Sequence, residues 1–476
     1  MSKVRSRYYI TTLVAGALFM EMLDGTIIAT ALPQMARSFN VSAVHLNIGM
    51  TAYMLTLAVF IPISGWVADR FGSRSVFAAA IGVFTVASLF CGLSHTLTQF
   101  TLMRILQGIG GAMMFPVGRL IVLRDTPKEE LTETIAYMTW PALTALVVGP
   151  PLGGFITTYA SWHWIFFLNL PLGAIAFVLT MLWIENLRSG EKHSFDCLTF
   201  FFAGIASTGV VYALESLGGA AMRTSSALAI LVCSIASGVM AVFASRRSSY
   251  PFIDLESMKL KSYSLSVYGA SGFRVAVSVL PFLLPLMFQI SFGMTAFHSG
   301  LYLLALFAGD LSMKGFVIQV LRRFGFRQIL IVNGVITAAS VALCATIAPT
   351  TPPVLIVAIL YFHGMCRSLE FTCMTTLAYT EIPSERMSQA NGFLSAVMQL
   401  SMGIGVAVGA VTIRLVAQAH RHEVSAPHLN DFHLAILIMS LLTLAPVFDS
   451  FGLAADAGAA TSGHLVLHTE VEADLV

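Results

Sequence analysis

The chain has 476 residues, 57% of them hydrophobic and only 11% charged, with a mean hydropathy of +0.82. Soluble domains carry about 25% charged residues, so a water-facing globule is excluded. Disorder is excluded too, because it needs low hydrophobicity and high net charge. A net charge of +2 offers nucleic acid no basic surface.

Apolar residues come in blocks of about twenty, enough to cross a bilayer core about 30 Å thick at 1.5 Å per residue. Lipid gives the backbone no hydrogen-bond partner, so such blocks must be helices. The chain therefore reads as an all-α polytopic membrane protein. Fourteen spans are expected, at 9–32, 46–66, 76–94, 98–122, 135–159, 165–184, 198–217, 226–244, 264–288, 298–320, 329–347, 354–377, 391–415 and 432–451.

The first block runs from Tyr8 to Leu32 with no A-x-A-like end, so it is expected to stay as a span rather than leave as a signal peptide. It carries Glu21 and Asp24, three apart and hence on one helical face. A carboxylate there is suited to exchanging a proton for a cationic substrate. After span 2 comes Gly65-Trp66-Val67-Ala68-Asp69-Arg70-Phe71-Gly72-Ser73-Arg74. Here Gly65 is expected to let helix ends approach and Gly72 to permit a tight turn. Asp69 could accept from a helix N-terminus, and Arg70 and Arg74 could sit near lipid phosphates or acids. A solvated basic turn would carry the same residues.

Span 4 holds Arg104 in Leu102-Met103-Arg104-Ile105-Leu106-Gln107-Gly108-Ile109-Gly110-Gly111. Arginine does not lose its proton, so it is a fixed positive charge, for coupling or for an inter-helix salt bridge. In span 5, Gly149, Gly153 and Gly154 allow close helix contact, and Pro150 kinks the helix. Asp310 and Lys314 stand at i and i+4 in span 10, and Arg367 and Glu370 at i and i+3 in span 12. Local ion pairing is the expectation for both, with Asp310 and Glu370 joining Glu21 as candidate cavity residues. The 34 Phe and 23 Met suit an adaptable apolar pocket. Six scattered cysteines and the histidines 420, 422, 428 and 433 follow no metal-ligand spacing and are read as buried hydrophobes and surface groups. The end from about Gly452 is small and polar, expected to be mobile.

Basic residues test the map independently. With the N-terminus cytoplasmic, eighteen fall on the inner side, among them Lys3, Arg5, Arg7, Arg246, Arg247, Lys259, Lys261, Arg322 and Arg323. The outer loops hold only Arg37, Arg223 and Arg421. That split is the positive-inside pattern, with both termini cytoplasmic. Charges within spans are costly and mark a solute or ion path.

An internal repeat is also present. Arg70-Phe71-Gly72-Ser73-Arg74 returns as Arg323-Phe324-Gly325-Phe326-Arg327, and Gly149/Gly153 as Gly405/Gly409, at offsets of 253 and 256. Two six-helix halves are expected: 1–190 and 263–453, with a linker of two spans over 191–262 and a cytoplasmic tail over 454–476. Parallel repeats of this kind bind at their interface and rock between access states.

The 65–74 loop resembles the cytoplasmic signature of the major facilitator superfamily, departing at Ser73. The Arg104 segment resembles the superfamily's l-x-x-x-R-x-x-Q-G motif. The stretch 145–154 resembles its antiporter motif, with Ala145 for the first glycine. Leu23-Asp24-Gly25-Thr26-Ile27-Ile28-Ala29-Thr30-Ala31-Leu32-Pro33 and Ser161-Trp162-His163-Trp164-Ile165-Phe166-Phe167-Leu168-Asn169-Leu170-Pro171 resemble segments of its fourteen-span drug:proton antiporter branch, the EmrB/QacA type. The usual asparagine and arginine are replaced by Ala29 and His163. The resemblance implies two six-helix bundles plus two inserted helices in the cytoplasmic (inner) membrane. It further implies proton coupling through Asp24 and Arg104, and a gate formed by Gly65, Asp69, Arg70, Gly72 and Arg74. The energy source would be the proton gradient, with no cofactor. The partners would be lipophilic small molecules, protons and membrane lipids.

The favoured function is export of lipophilic or cationic toxic compounds in exchange for protons. A symporter or exporter of one metabolite keeps the same fold, and Arg274 and Arg367 leave an anion open. A non-transporting sensor is a third reading, disfavoured by the buried charges. No P-loop supports ATP-driven pumping, and no nucleophile–base pair suggests an enzyme. Whether a periplasmic adaptor joins the protein is not encoded in these motifs.

Overall fold

The computed structural model describes residues 3–42, 45–124, 131–186, 196–218, 224–248, 256–383, 387–422, 427–454 and 457–458. Arg223, Lys128, Arg188, Lys192, Arg386 and most of the 454–476 tail lie outside the described residues. The principal helices are α1 Lys3–Ile27, α2 Asn47–Phe60, α3 Ser73–Gly92, α4 Leu97–Arg124, α5 Leu131–Tyr159, α6 Asn169–Trp183, α7 Cys197–Gly218, α8 Thr224–Arg247, α9 Lys261–Ser278, α10 Ala296–Lys314, α11 Val317–Cys344, α12 Pro353–Leu377, α13 Met387–Ala419 and α14 Leu429–Leu442. Among the described residues there is no strand. Among the described residues, thirteen helices, some extended by a flanking turn, are long and apolar enough to cross a membrane. The expected tenth span, α10, has 19 residues and includes Asp310 and Lys314; it is not among the thirteen.

Several helix ends differ from the sequence expectation. Span 9 is not one rod: α9 stops at Ser278, Leu280–Leu286 follows, and Met287–Ser291 forms a wider π turn. Pro281 and Pro285 withhold backbone donors there. The end of span 1 likewise breaks at Ile28–Thr30 and restarts as Leu32–Phe39, with Pro33 in its first turn.

The contacts of the first six principal helices reappear in the last six. The α1–α5 pairing returns as α9–α13, α2–α4 as α10–α12, α3–α4 as α11–α12, and α3–α6 as α11–α14. The two bundles meet along α2–α13 and α5–α10. Helices α7 and α8 pack mainly on each other, with α7 also touching α13 and α2.

The repeated loops adopt the same backbone device. Gly72, between Ser64–Phe71 and α3, has φ +92°, and Gly325 within α11 has φ +71°. Both are left-handed values that residues with a Cβ adopt at a cost. Asn186 also packs against Gly72, where an ideal Cβ would lie 2.2 Å from its Oδ1. Gly65 plays no matching part: an added Cβ there would meet nothing within 4 Å. The expectation that Gly65 permits close approach is therefore corrected.

The glycine pairs of α5 and α13 do permit it. A Cβ on Gly149 would lie 2.2 Å from Thr26 Oγ1, and one on Gly153 would lie 2.2 Å from the Ile27 carbonyl. A Cβ on Gly405 would lie 2.4 Å from the Val275 carbonyl and one on Gly409 2.8 Å from Val279. So α5 lies against α1 as α13 lies against α9. Gly154 and Gly300 extend the seam between bundles, where an added Cβ would lie 2.4 Å from the Ala296 and Pro150 carbonyls respectively.

One apolar core joins the bundles at the end of the molecule far from the start of α1, where Ile27, Ile28 and Trp162 meet Val279, Phe282 and Phe288. Gln289 Nε2 donates to the Thr30 carbonyl at 3.1 Å and the Phe297 amide to Thr158 Oγ1 at 3.2 Å across the same end. The remaining cores each belong to a single bundle. Substituting Gly153→Val should cost about 1–3 kcal/mol through overpacking against α1. Gly65→Ala should stay within about 0.5 kcal/mol of wild type. Thermal unfolding of the two purified variants checks this; equal losses would contradict the seam.

Candidate transport site

Four helices converge on Asp24. From α4, Arg104 Nη1 donates to Asp24 Oδ2 at 2.6 Å, and Gln107 Nε2 donates to Asp24 Oδ1 at 2.9 Å. From the start of α6, Asn169 Nδ2 donates to the same Oδ1 at 2.9 Å. Ser88 of α3 accepts from Gln107 at 2.8 Å and from Asn169 at 3.3 Å, and its hydroxyl donates to the Phe84 carbonyl at 2.8 Å. Arg104 also bonds Gln107 Oε1 at 2.5 Å and lies 4.1 Å from the centre of the Tyr53 ring. Asp24 and Arg104 are each 1% exposed.

The arrangement follows from spacing. Arg104 and Gln107 are three apart on α4, so both project toward α1. A carboxylate accepting three donors, one of them guanidinium, is fully satisfied despite its burial. The sequence reading brought Asp24 and Arg104 together; the roles of Gln107 and Asn169, both within its motifs, and of Ser88 and Tyr53 emerge only from the packing. Their signal was polarity inside apolar blocks.

The same helix presents its other side to a cavity. Gly25 and Thr26 of α1, with Ala29 of the Ile28–Thr30 turn that follows it, line a cavity of about 270 Å³ between the bundles. Met50, Met54, Leu146, Phe282, Phe307 and Phe371 are part of the apolar wall, and the charged groups come from α9, α10 and α12: Arg274, Asp310, Lys314 and Arg367. Asp310 pairs with Arg367 across α10 and α12 rather than with Lys314 one turn on. Lys314 Nζ donates to Thr372 Oγ1 at 2.9 Å. The expectation of local ion pairing within α10 and α12 is thus corrected.

Asp310 lines the cavity; Glu21 and Glu370 are not among its lining residues. Glu21 is buried beside Gly111, and its Oε2 has no hydrogen-bond partner among the described residues. Glu370 is buried in the second bundle, where Oε2 accepts from Asn333 Nδ2 at 2.8 Å and Oε1 has no partner among the described residues. Of the expected gate residues, Asp69 and Arg70 are exposed on the short helix Ser64–Phe71, and Arg74 is partly buried in the first turn of α3.

Among the described residues, one group could hold a metal ion: His420, His422 and Asp431. It is closed here by hydrogen bonds, His420 Nδ1 and His422 Nδ1 lying 2.6 and 2.9 Å from the Asp431 carboxylate, which also accepts from the His428 amide at 2.8 Å. These histidines are therefore anchored rather than free on the surface. Cys233 is exposed along with Cys197, against the expectation that it is buried; the other four are buried.

A helical bundle pair with buried charges and a cavity at its interface has the form of a transporter. The model of the Major Facilitator Superfamily matches residues 14–406, and the chain belongs to that family. A relative named for multidrug resistance, MdtD of Escherichia coli (strain K12), is 35% identical over 436 residues, 92% of each chain. Its counterpart from Shigella boydii serotype 4 (strain Sb227) is equally similar. Among solved structures, a bacterial homologue of the human lysosomal transporter Spinster superposes with a TM-score of 0.66, covering 97% of this chain and 99% of that one at 14% identity. The nucleoside transporter NupG gives 0.64, covering 95% and 100% at 13% identity. These likenesses establish the fold. The protein is a multi-pass membrane transporter of this superfamily.

Breaking the Asp24–Arg104 pair from either side leaves a buried charge unpaired, at a cost of about 3–5 kcal/mol. Asp24→Leu and Arg104→Leu should each lower thermal stability by that order, and the double variant should lose less than both losses combined. Additivity within about 0.5 kcal/mol would show that the pair is not energetically coupled.

Proposed function

We propose that the protein exports lipophilic small molecules across the cytoplasmic membrane in exchange for protons, by rocking its two bundles. The observation that supports this most is the placement of Asp24. It lies on α1 with its carboxylate in a closed polar network, while the next residues of the same helix line the cavity. Asp24 has two self-consistent states. Ionised, it holds Arg104, Gln107 and Asn169 together; protonated, it releases the guanidinium and loosens the join of α1 to α4 and α6. Because α5 lies on α1 through Gly149 and Gly153, movement of α1 is passed to the seam that closes one end of the cavity.

The positive-inside pattern supports an orientation with both termini in the cytoplasm and the end near Thr30 and Gln289 outside. On that orientation the Gly72 turn is cytoplasmic, where it serves as the gate. The multidrug relatives support a drug-like cargo, and the predominantly apolar wall supports a lipophilic one. No cofactor takes part; the proton gradient supplies the energy.

In inside-out membrane vesicles, an imposed pH gradient should drive uptake of compounds against which the protein gives resistance, and an uncoupler should abolish it. Asp24→Asn should reduce gradient-driven uptake at least about tenfold, a loss of about 1.4 kcal/mol of coupling, at normal membrane levels. Uptake at the wild-type rate by that variant would overturn the assignment of Asp24. A susceptibility panel in which no compound shows uncoupler-sensitive protection would overturn drug export.

A further inference from the structure

The charged groups of the cavity do not match a cationic cargo. Three cations line it, Arg274, Lys314 and Arg367, against one carboxylate, Asp310. Asp310 is already engaged by Arg367. Neither Arg274 nor Lys314 has a carboxylate partner among the described residues. Lys314 is held by a neutral hydroxyl, that of Thr372.

Arg274 is the more telling of the two. It is 1% exposed, one of the largest fully buried side chains of the protein. Nη1 donates to the Ser266 carbonyl at 3.0 Å, and the guanidinium carbon lies 5.6 Å from the centre of the Phe371 ring. Nη2 has no hydrogen-bond partner among the described residues. A buried cation without a counter-charge costs several kcal/mol, and a buried donor without an acceptor adds to that. A guanidinium with one unengaged donor, here Nη2, can receive an anion such as a carboxylate. The break of α9 just beyond Ser278 places Val277, Ser278, Pro281 and Phe282 at the same wall. An arriving anion therefore meets Arg274 on one side and apolar surface on the other.

We propose that the cargo is an amphiphilic organic anion: an apolar or aromatic body carrying a carboxylate, seated with its charge at Arg274 and Lys314. The Asp310–Arg367 pair is neutral overall and closes the remaining wall. Glu21 and Glu370, the acids that would have favoured a cation, are buried away from the cavity lining. This inference rests on the reading of the cavity as the cargo site, and its test needs no proton gradient.

The test uses the full-length protein, purified and held in nanodiscs of zwitterionic lipid, with two radiolabelled probes of equal apolar body: naphthylacetate and naphthylmethyl-trimethylammonium. Equilibrium dialysis should show the carboxylate bound about tenfold or more tightly than the ammonium, the effect of one charge-assisted hydrogen bond. Arg274→Gln should erase that preference, and Lys314→Gln should weaken it severalfold. Should Arg274→Gln fail to fold, Lys314→Gln, at a less buried site, carries the comparison. Asp24→Asn should keep the anion preference even where it has lost gradient-driven transport, so coupling and cargo class fail separately. Equal or tighter binding of the ammonium overturns the proposal. So does an unchanged preference in the Arg274 and Lys314 variants, or the absence of saturable binding of either probe.

Discussion

The buried ion pair of Asp24 and Arg104 is the constraint around which the first bundle is built. Two charges withdrawn from water are tolerated only when their geometry is good and their remaining hydrogen-bonding capacity is met. Here Gln107 and Asn169 complete the carboxylate, and Ser88 ties both amides to α3. Four helices are thereby held in one register by a single side chain. An apolar replacement could pack as tightly but could not change state when a proton arrives.

Helix α1 joins that chemistry to the cavity. On one side it carries Asp24 into the polar network; on another, Gly25 and Thr26, with Ala29 of the turn that follows, form cavity wall. Its contact with α5 is so close that a methyl group at Gly153 would collide with the Ile27 carbonyl. The α5 helix in turn meets α10 at Gly154 and Gly300. The Asp24 network, the cavity and the seam between bundles are therefore linked through packed backbone, which does not deform continuously but shifts between discrete packings. The two bundles divide the work: the first holds the buried Asp24 network, and the second supplies the charged side chains at the cavity wall, Arg274, Asp310, Lys314 and Arg367.

Much of this was legible in the sequence. Apolar block length and basic-residue placement depend only on the bilayer, so the helical architecture can be read without knowing any contact. The repeated loops carried their glycines because both turns need a left-handed residue, and Gly72 and Gly325 adopt one. Asp24 and Arg104 stood out because a charge in a span needs a partner. What stayed hidden was the identity of partners distant in sequence. Spacing along a helix suggested Asp310 with Lys314 and Arg367 with Glu370, yet the ion pair formed joins Asp310 to Arg367 across two helices. A residue such as Asn333, which serves Glu370 from α11, leaves no periodic trace. Nor could sequence tell that Gly65 faces open space while Gly153 faces a carbonyl.

The central claim is that Asp24 exchanges a proton as the cargo binds. Proton release into lightly buffered solution, followed with a pH indicator as purified protein is saturated with a compound it exports, measures that directly. Wild-type protein should release protons in step with occupancy, and the Asp24→Asn variant should bind the compound with no release. Release of equal size from both proteins, or none from the wild type, would contradict the assignment of the coupling proton to Asp24.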